Sequence, residues 1–359
     1  LLKWDNLMKK MKQTTENQAE IALRTCLEKA PFLRIESVFR EPKVDLMVDF
    51  LVTLTLASGN KQDLIVEIKN NGQPRIAREA VNQLLRYGEI YPGSYGIFIA
   101  PYISLQAAEI CSKDGIGYVD LAGNCRLSFD QVYIEQRGNP NPFSEKRDLR
   151  SLYSPKAERV LRVLLCNPEK VWKTQGLAEE AMVSLGQVAN IKKLLGDREW
   201  IFTSRDGFSL REKEKLLEEW SENYTYRKNK VRDFYTLKNL LEIEADLAEV
   251  CNERGIKYAL TGFSGAARIA PAVRYQRAMT YLDGNIDDIA STLQIKEVPS
   301  GANLMILTPY DDGVFYRTQK FNNIKIASPV QIYLDLKGFR GRGEEAAKAV
   351  LEEVIRPTW

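Results

Sequence analysis

Histidine is absent from this 359-residue chain. Its absence excludes Ser-His-Asp and Cys-His nucleophilic catalysis, HExxH metalloprotease chemistry and any His-ligated metal. Hydrolysis, if there is any, must use carboxylates, Lys, hydroxyls and a hard cation such as Mg²⁺. Cysteine is scarce. Five residues (Cys26, Cys111, Cys125, Cys166, Cys251) are scattered without a CxxC pair. Zinc and a disulfide framework are therefore not expected, and a reducing cytoplasm fits. No apolar run approaches the roughly 18 residues of a membrane span. The first residues, LLKWDNLMKKMKQ, are too polar and basic for a secretory signal. A net charge of +3 is too small to argue for nucleic acid by itself.

What is present is the composition of a folded, soluble protein, with 44% hydrophobic and 28% charged residues. The length suits two or three domains. Three blocks are expected: 1–148, 149–225 and 226–359. The first alternates helical and strand-like segments. ENQAEIALRTCLEKA reads as a helix, and DFLVTLTL and DLIVEIK as strands joined by the turn-rich ASGNKQ. PRIAREAVNQLLRYGEIY reads as a helix with Pro74 in its first turn. YGIFIAP is a strand, SLQAAEICSKDG a helix capped by Ser104, and IGYVDLAGNCRLSF two short strands. This order predicts a mixed α/β sheet with helices on its faces. EQRGNPNPFSEKRDLRS reads as a linker.

The second block predicts three helices, SPKAERVLRVLLCN, KTQGLAEEAM and SLGQVANIKKLLGD, and then a hairpin in WIFTSRDGFSLRE. Asp206-Gly207 is a two-residue hairpin signal. Helix, helix, helix, hairpin is the order of a winged helix-turn-helix. In its third helix Val188, Ile191 and Leu195 have the spacing of a buried stripe, and Ser184 suits the N-cap. Gln187, Asn190 and Lys193 then face outward. Gln and Asn can pair with adenine, and Lys can reach phosphate or guanine. Such a helix enters the major groove of double-stranded DNA, with Arg205 at the hairpin tip on backbone or minor groove. NYTYRKNKVRDFY interleaves aromatics with Arg227, Lys228, Lys230 and Arg232. The competing reading is a winged helix used for protein contact.

The third block mixes helices with strands in KYALTG, AMTYLD, NLMILTP and KIASP, and ends on a helix in GEEAAKAVLEEVI. Together the blocks predict a multidomain α/β and α+β chain. Its last domain is an α/β fold of nucleotidyltransferase-like type. After Gly262, Ser264 and Gly265, however, no carboxylate pair follows at the spacing such an enzyme needs. Asp283, Asp287 and Asp288 are expected to be solvated and the scaffold inactive.

One strand, DLIVEIK, carries charges at the end of an apolar run. Glu67 and Lys69 are two apart and share a face. A turn centred near Asn60 sets Asp49 across from residues 70–71 and brings it to the same edge. Two carboxylates can hold Mg²⁺ together with waters and phosphate oxygens. The cation lowers the pKa of a bound water, and Lys69 can orient that water or stabilise developing charge. Gln83 and Tyr87, four apart, lie on one face of the next helix. The competing reading is a closed salt-bridge cluster without metal.

Asp49, Glu67-Ile68-Lys69 and the Gln-x-x-x-Tyr of the following helix resemble the PD-(D/E)XK nucleases, in particular RecB-like branches. Val48 stands where the motif has proline. The resemblance implies a restriction-endonuclease-like mixed sheet with a catalytic set of Asp49, Glu67, Lys69, Gln83 and Tyr87. It also implies Mg²⁺ on Asp49 and Glu67, and an acidic residue from the first helix, for which Glu20 and Glu28 are candidates. Further on, YALTG, GANLMILTPYDDGVF and SPVQIYLDLKGFRGRGEEAAKAVLEE resemble the AbiEi-type antitoxins of type IV toxin–antitoxin (abortive infection) systems. That resemblance implies a DNA-binding repressor acting beside a nucleotidyltransferase-like toxin. A Mg²⁺-dependent endonuclease delivered by its winged helix is the rival reading. A protein-interaction scaffold that silences a toxin is a third.

Overall fold

The computed structural model describes residues 16–40, 48–142 and 152–359. The chain divides into two compact units. One comprises 1–148 with 196–199, and the other 149–195 with 200–359.

The first unit is a seven-stranded mixed sheet in sequential order, β1 to β7. A helix through 16–27 (α1) precedes it. β1 (Arg34–Arg40), β2 (Phe50–Thr55) and β3 (Lys61–Ile68) form an antiparallel meander. α2 (Pro74–Ile90) carries the chain to β4 (Tyr95–Ala100), and α3 (Leu105–Lys113) to β5 (Gly117–Asp120). Both crossovers give parallel pairs, as helical connections allow. β6 (Cys125–Phe129) and β7 (Val132–Gln136) close the sheet as an antiparallel hairpin.

Side-chain alternation builds two cores on the two sheet faces. Phe50, Val52, Leu54, Leu64 and Val66 bury against α1 residues such as Leu23 and Leu27. Ile65 and Phe98 bury on the other face, against the Ala77, Ala80, Val81 and Leu84 stripe of α2 and against α3. That stripe has the i, i+3, i+4, i+7 spacing of an amphipathic helix, and Pro74 opens the helix where a missing N–H costs nothing. Ser104 caps α3, its side chain accepting from the Ala107 N–H at 3.3 Å.

The sequence-based segments reappear here with two strands added. β1 escaped notice because it is a half-exposed edge, RIESVFR, without clean alternation. β7 begins before the expected linker, so Glu135 and Gln136 are strand residues. The rest of that linker lies partly outside the described residues.

The second unit opens with α4 (Pro155–Cys166), α5 (Thr174–Glu180) and α6 (Leu185–Asp197), followed by the hairpin β8 (Ile201–Thr203) and β9 (Phe208–Leu210) and by α7 (Lys213–Asn223). A second seven-stranded mixed sheet follows, in the order β13-β10-β14-β12-β11-β16-β15. Its strands are β10 (Lys230–Tyr235), β11 (Lys257–Leu260), β12 (Ala278–Asp283), β13 (Lys296–Glu297), β14 (Leu304–Thr308), β15 (Gln319–Phe321) and β16 (Ile324–Ile326). α8 (Leu240–Glu253) and α10 (Ile286–Leu293) cover one face with Ile243, Leu247, Ile289 and Leu293. The other face, with Ala259, Met279, Tyr281 and Leu307, packs on α9 (Gly262–Ile269), α11 (Pro329–Lys337) and α12 (Arg342–Val350). The same core continues without a break into Val160, Leu164, Val188, Leu195 and Trp220. Residues 149–225 and 226–359, read as separate blocks, therefore share one core.

Candidate functional site

Asp49, Glu67, Lys69, Gln83 and Tyr87 converge at the C-terminal end of β3. The expected register was off by about four residues. Phe50 pairs with Val66, and the Asp49 N–H donates to Val66 O at 3.1 Å, which sets Asp49 beside Val66 and Glu67 rather than opposite 70–71. The turn centres on Ser58, not Asn60: Leu56 N–H donates to Asn60 O at 2.9 Å, and Gly59 takes the left-handed conformation (φ 82°) that frees the chain to reverse there. Asp49 then lies near enough for its charge to act on Glu67.

Glu67 is only 5% exposed. Lys69 Nζ donates to Glu67 Oε1 at 2.6 Å and to Gln83 Oε1 at 3.3 Å. Gln83 Nε2 in turn donates to the Tyr87 hydroxyl at 3.0 Å. α2 thus supplies a polar brace over the strand, built from two residues one turn apart. Asp49 Oδ2 accepts from the Ile68 N–H at 2.7 Å, which fixes its carboxylate beside the strand. Glu67 Oε2 is buried and has no hydrogen-bond partner. Burial pushes the Glu67 carboxyl above its ordinary range; the Lys69 hydrogen bond opposes the rise and the Asp49 charge adds to it.

The two first-helix acids stand differently. Burial works to raise the Glu20 pKa, but hydrogen bonds from Arg40 and Arg24 outweigh it and hold the carboxyl below its usual range. Arg40 Nη2 lies 2.6 Å and Arg24 Nη2 2.8 Å from its oxygens. Glu28 is exposed. Asp120, at the C-terminal end of β5, is buried but fully used. It accepts from Asn124 N (2.8 Å), Asn124 Nδ2 (2.9 Å) and Ile103 N (3.2 Å), and so folds its own loop.

A cation at Asp49 and Glu67 fits the donor chemistry. Both are hard oxygen ligands, and an orphaned carboxylate oxygen points to a missing positive partner. Among the described residues no group of three or more His, Cys, Asp or Glu could hold a metal ion. Mg²⁺ here would rest on two carboxylates, with water and phosphate oxygens completing the shell.

In the second unit Ser184 Oγ accepts from the Gln187 N–H at 3.2 Å, the contact of an N-cap. Val188, Ile191 and Leu195 are buried. Ser184, Asn190, Lys193 and Arg205 are exposed and Gln187 is half-buried. The hairpin tip falls at Arg205-Asp206, one residue earlier than Asp206-Gly207 implied, since Ser204 N–H donates to Gly207 O at 2.8 Å. Gly207 is needed for another reason. A Cβ there would sit 2.3 Å from the Trp172 carbonyl oxygen, because the Trp172 backbone pairs with Phe208.

The basic–aromatic run after α7 is absorbed by the fold. Tyr224 and Tyr226 are buried, Lys228 pairs with buried Glu158 at 3.2 Å, and Arg232 holds Glu297 at 2.6 Å and Asp287 at 2.8 Å. Asp283, Asp287 and Asp288 are exposed, as their spacing implied. What sequence reasoning missed is a buried polar cluster. Asp335 accepts from Tyr224 (2.7 Å), Tyr281 (2.8 Å) and Thr261, while Gln331 accepts from Arg162 Nε at 2.8 Å and donates to both tyrosine hydroxyls. Its signal was visible in PVQIYLDLK: two polar residues four apart inside an otherwise apolar helix.

No helix among the described residues is long and apolar enough to cross a membrane. No curated protein matches the chain. Among solved structures, an EndoMS–dsDNA complex matches at 19% identity and TM-score 0.21, over 29% of this chain and 44% of that one. A repair endonuclease from Pyrococcus abyssi matches at 17% identity and TM-score 0.21, over 28% and 46%. The match spans less than half of each of those chains, and a likeness at that TM-score carries no argument. A family model is more informative. Residues 209–356, less than half of the chain, match the one described as transcriptional regulator, AbiEi antitoxin, type IV TA system, in the region whose sequence resembles those antitoxins.

Proposed function

We propose that the chain is a DNA-binding transcriptional regulator of the AbiEi-antitoxin kind, carrying a nuclease-like domain at its N-terminal side. The family match over 209–356 carries this reading. The second unit supports it. Three helices and a hairpin, with Trp172 bridging Phe208 as a third short strand, have the order of a winged helix. α6 turns Asn190 and Lys193 to the surface with Gln187 half-buried beside them, a face that a major-groove helix could present. The sheet behind it we read as a nucleotidyltransferase-like scaffold without catalytic carboxylates: Asp287 and Asp288 are engaged by Arg232 and Arg254. A separate nucleotidyltransferase-like toxin is the partner this reading implies. The test is a gel shift on DNA upstream of the protein's own coding sequence, run across a salt series. Binding that weakens linearly in log salt and favours that DNA over a scrambled duplex supports regulation. Absence of any shift at low salt ends it.

A second reading, a Mg²⁺-dependent endonuclease, is favoured by one observation: Glu67 Oε2 is buried and unpartnered beside Asp49. The sheet order and the helix brace suit a PD-(D/E)XK domain. Asp49 and Glu67 would hold the cation, which would supply Lewis acidity towards a phosphate oxygen. Lys69 then stands where it can balance charge on the phosphate, held by Glu67 Oε1 and Gln83 Oε1. Gln83 and Tyr87 keep the ammonium in position. Cleavage of DNA or RNA by purified protein with Mg²⁺ or Mn²⁺, abolished by Glu67→Ala, is the result this reading requires.

A further inference from the structure

We propose that Cys26 and Cys125 form a peroxide-oxidisable dithiol, a modification site that closes as a disulfide between α1 and β6. The five cysteines are not equivalent. Cys111, Cys166 and Cys251 belong to three different packed regions, whereas Cys26 and Cys125 share one core. Both line the same cavity of about 310 Å³, together with Gln18, Thr25, Lys29 and Asp120. Each side chain is nearly buried from bulk water, at 3% and 1% exposure, so the cavity is the route by which a small oxidant reaches them. Lys29 Nζ lies 3.9 Å from Cys125 Sγ.

This arrangement separates the roles of the two sulfurs. The neighbouring Cys26 thiol and the Lys29 ammonium, 3.9 Å from Cys125 Sγ, lower the Cys125 thiol below its ordinary range, while Cys26 is pushed up. Burial instead pushes Cys111 up to about 12 and Cys251 to about 11. A thiolate is the nucleophile toward peroxide, so Cys125 is the attacking sulfur and Cys26 the resolving one.

The chemistry balances. The Cys125 thiolate attacks one oxygen of hydrogen peroxide; the O–O bond breaks and hydroxide leaves, taking a proton to become water. The Cys125 sulfenic acid is then attacked by the Cys26 sulfur. The S–S bond forms, the S–O bond breaks, and the Cys26 proton leaves with the oxygen as a second water. Two thiols lose two electrons, and one peroxide becomes two waters. The resulting bond spans 99 residues (125 − 26 = 99). It fastens the first helix to the hairpin at the end of the sheet.

The test uses the full chain, treated with hydrogen peroxide, alkylated under denaturing conditions and mapped without reduction. The expected result is a linked Cys26–Cys125 peptide that dithiothreitol removes, with Cys111, Cys166 and Cys251 recovered as alkylated thiols. Cys26→Ala should stop the reaction at a Cys125 sulfenic acid that dimedone traps, and Lys29→Met should slow disulfide formation about two- to threefold at neutral pH. Should Cys125→Ser fail to fold, the wild-type map and Cys26→Ala still decide the matter. Failure to find the linked peptide while another cysteine oxidises first overturns the proposal, as does dimedone capture anywhere but Cys125.

Discussion

Lys69 closes on one oxygen of Glu67, at 2.6 Å, and leaves the other buried and unpartnered. A closed ion-pair cluster satisfies both carboxylate oxygens; this one satisfies one. A half-satisfied buried carboxylate costs stability unless something arrives to complete it. The first prediction follows. Mg²⁺ should raise the Tm of the protein, because a ligand that binds only the folded state stabilises it by about 2–3 kcal/mol at a hundredfold excess over Kd. Glu67→Gln, which keeps an acceptor for Lys69 but removes the charge, should lose most of that shift. Equal Mg²⁺-induced shifts in both proteins, read by calorimetry, mean that the cation binds elsewhere.

The same residue sets a pH dependence. Burial raises the Glu67 pKa, so the folded state holds this proton more tightly than the unfolded chain does. Its contribution to stability is then most favourable at low pH. It is lost as pH rises from the ordinary carboxylate value through the raised one. Glu67→Gln should therefore gain stability relative to wild type as pH climbs above the ordinary carboxylate value of about 4, without added metal. Urea denaturation at several pH values measures the difference. A gap that is constant with pH shows that Glu67 ionises no differently in the two states.

Much of this site was legible, for physical reasons that can be named. Glu67 and Lys69 interrupt a run whose other members, Leu64, Ile65 and Val66, are all buried, and period two assigns their common face. Gln83 and Tyr87 follow from the helix period. The register was not legible, because ASGNKQ holds several turn-forming residues and only the backbone centres the turn on Ser58, with Gly59 left-handed, rather than on Asn60. Short edge strands were also hidden. β13 has two residues, and both are exposed. The joint core of the second unit escaped because its members are contributed by segments more than a hundred residues apart, such as Val160 and Val330, and no local pattern records that.

The third prediction concerns α6. Gln187→Ala or Asn190→Ala should cost about 1–3 kcal/mol at a specific DNA site if the residue pairs with a base edge. Lys193→Ala and Arg205→Ala should weaken all duplexes alike and reduce the salt slope by about one each. Wild-type affinity for all four variants removes this helix and hairpin as the DNA reader.

The last prediction concerns Asp335, the hub of the buried cluster. It is fully buried, and burial pushes its carboxyl up despite hydrogen bonds from Thr261, Tyr224, Tyr281 and Gln331. Arg162, also fully buried, reaches the cluster through Gln331 and lies 5.1 Å from the Trp220 ring centroid. α4, α7, β12 and α11 are thus joined by polar contacts as well as by packing. Removing the acceptor strands several donors at once, each at about 1–3 kcal/mol. Asp335→Ala should therefore destabilise the second unit severely, by more than a typical single-residue change. Asp335→Asn should be far milder, since it keeps an acceptor oxygen and removes a buried charge. Tryptophan fluorescence during urea unfolding reports on this region through Trp220. If both variants unfold at the wild-type midpoint, the cluster does not hold the helices to the sheet. If Asp335→Ala unfolds early and also abolishes DNA binding while Asp335→Asn preserves both, the cluster is the support on which α6 is presented.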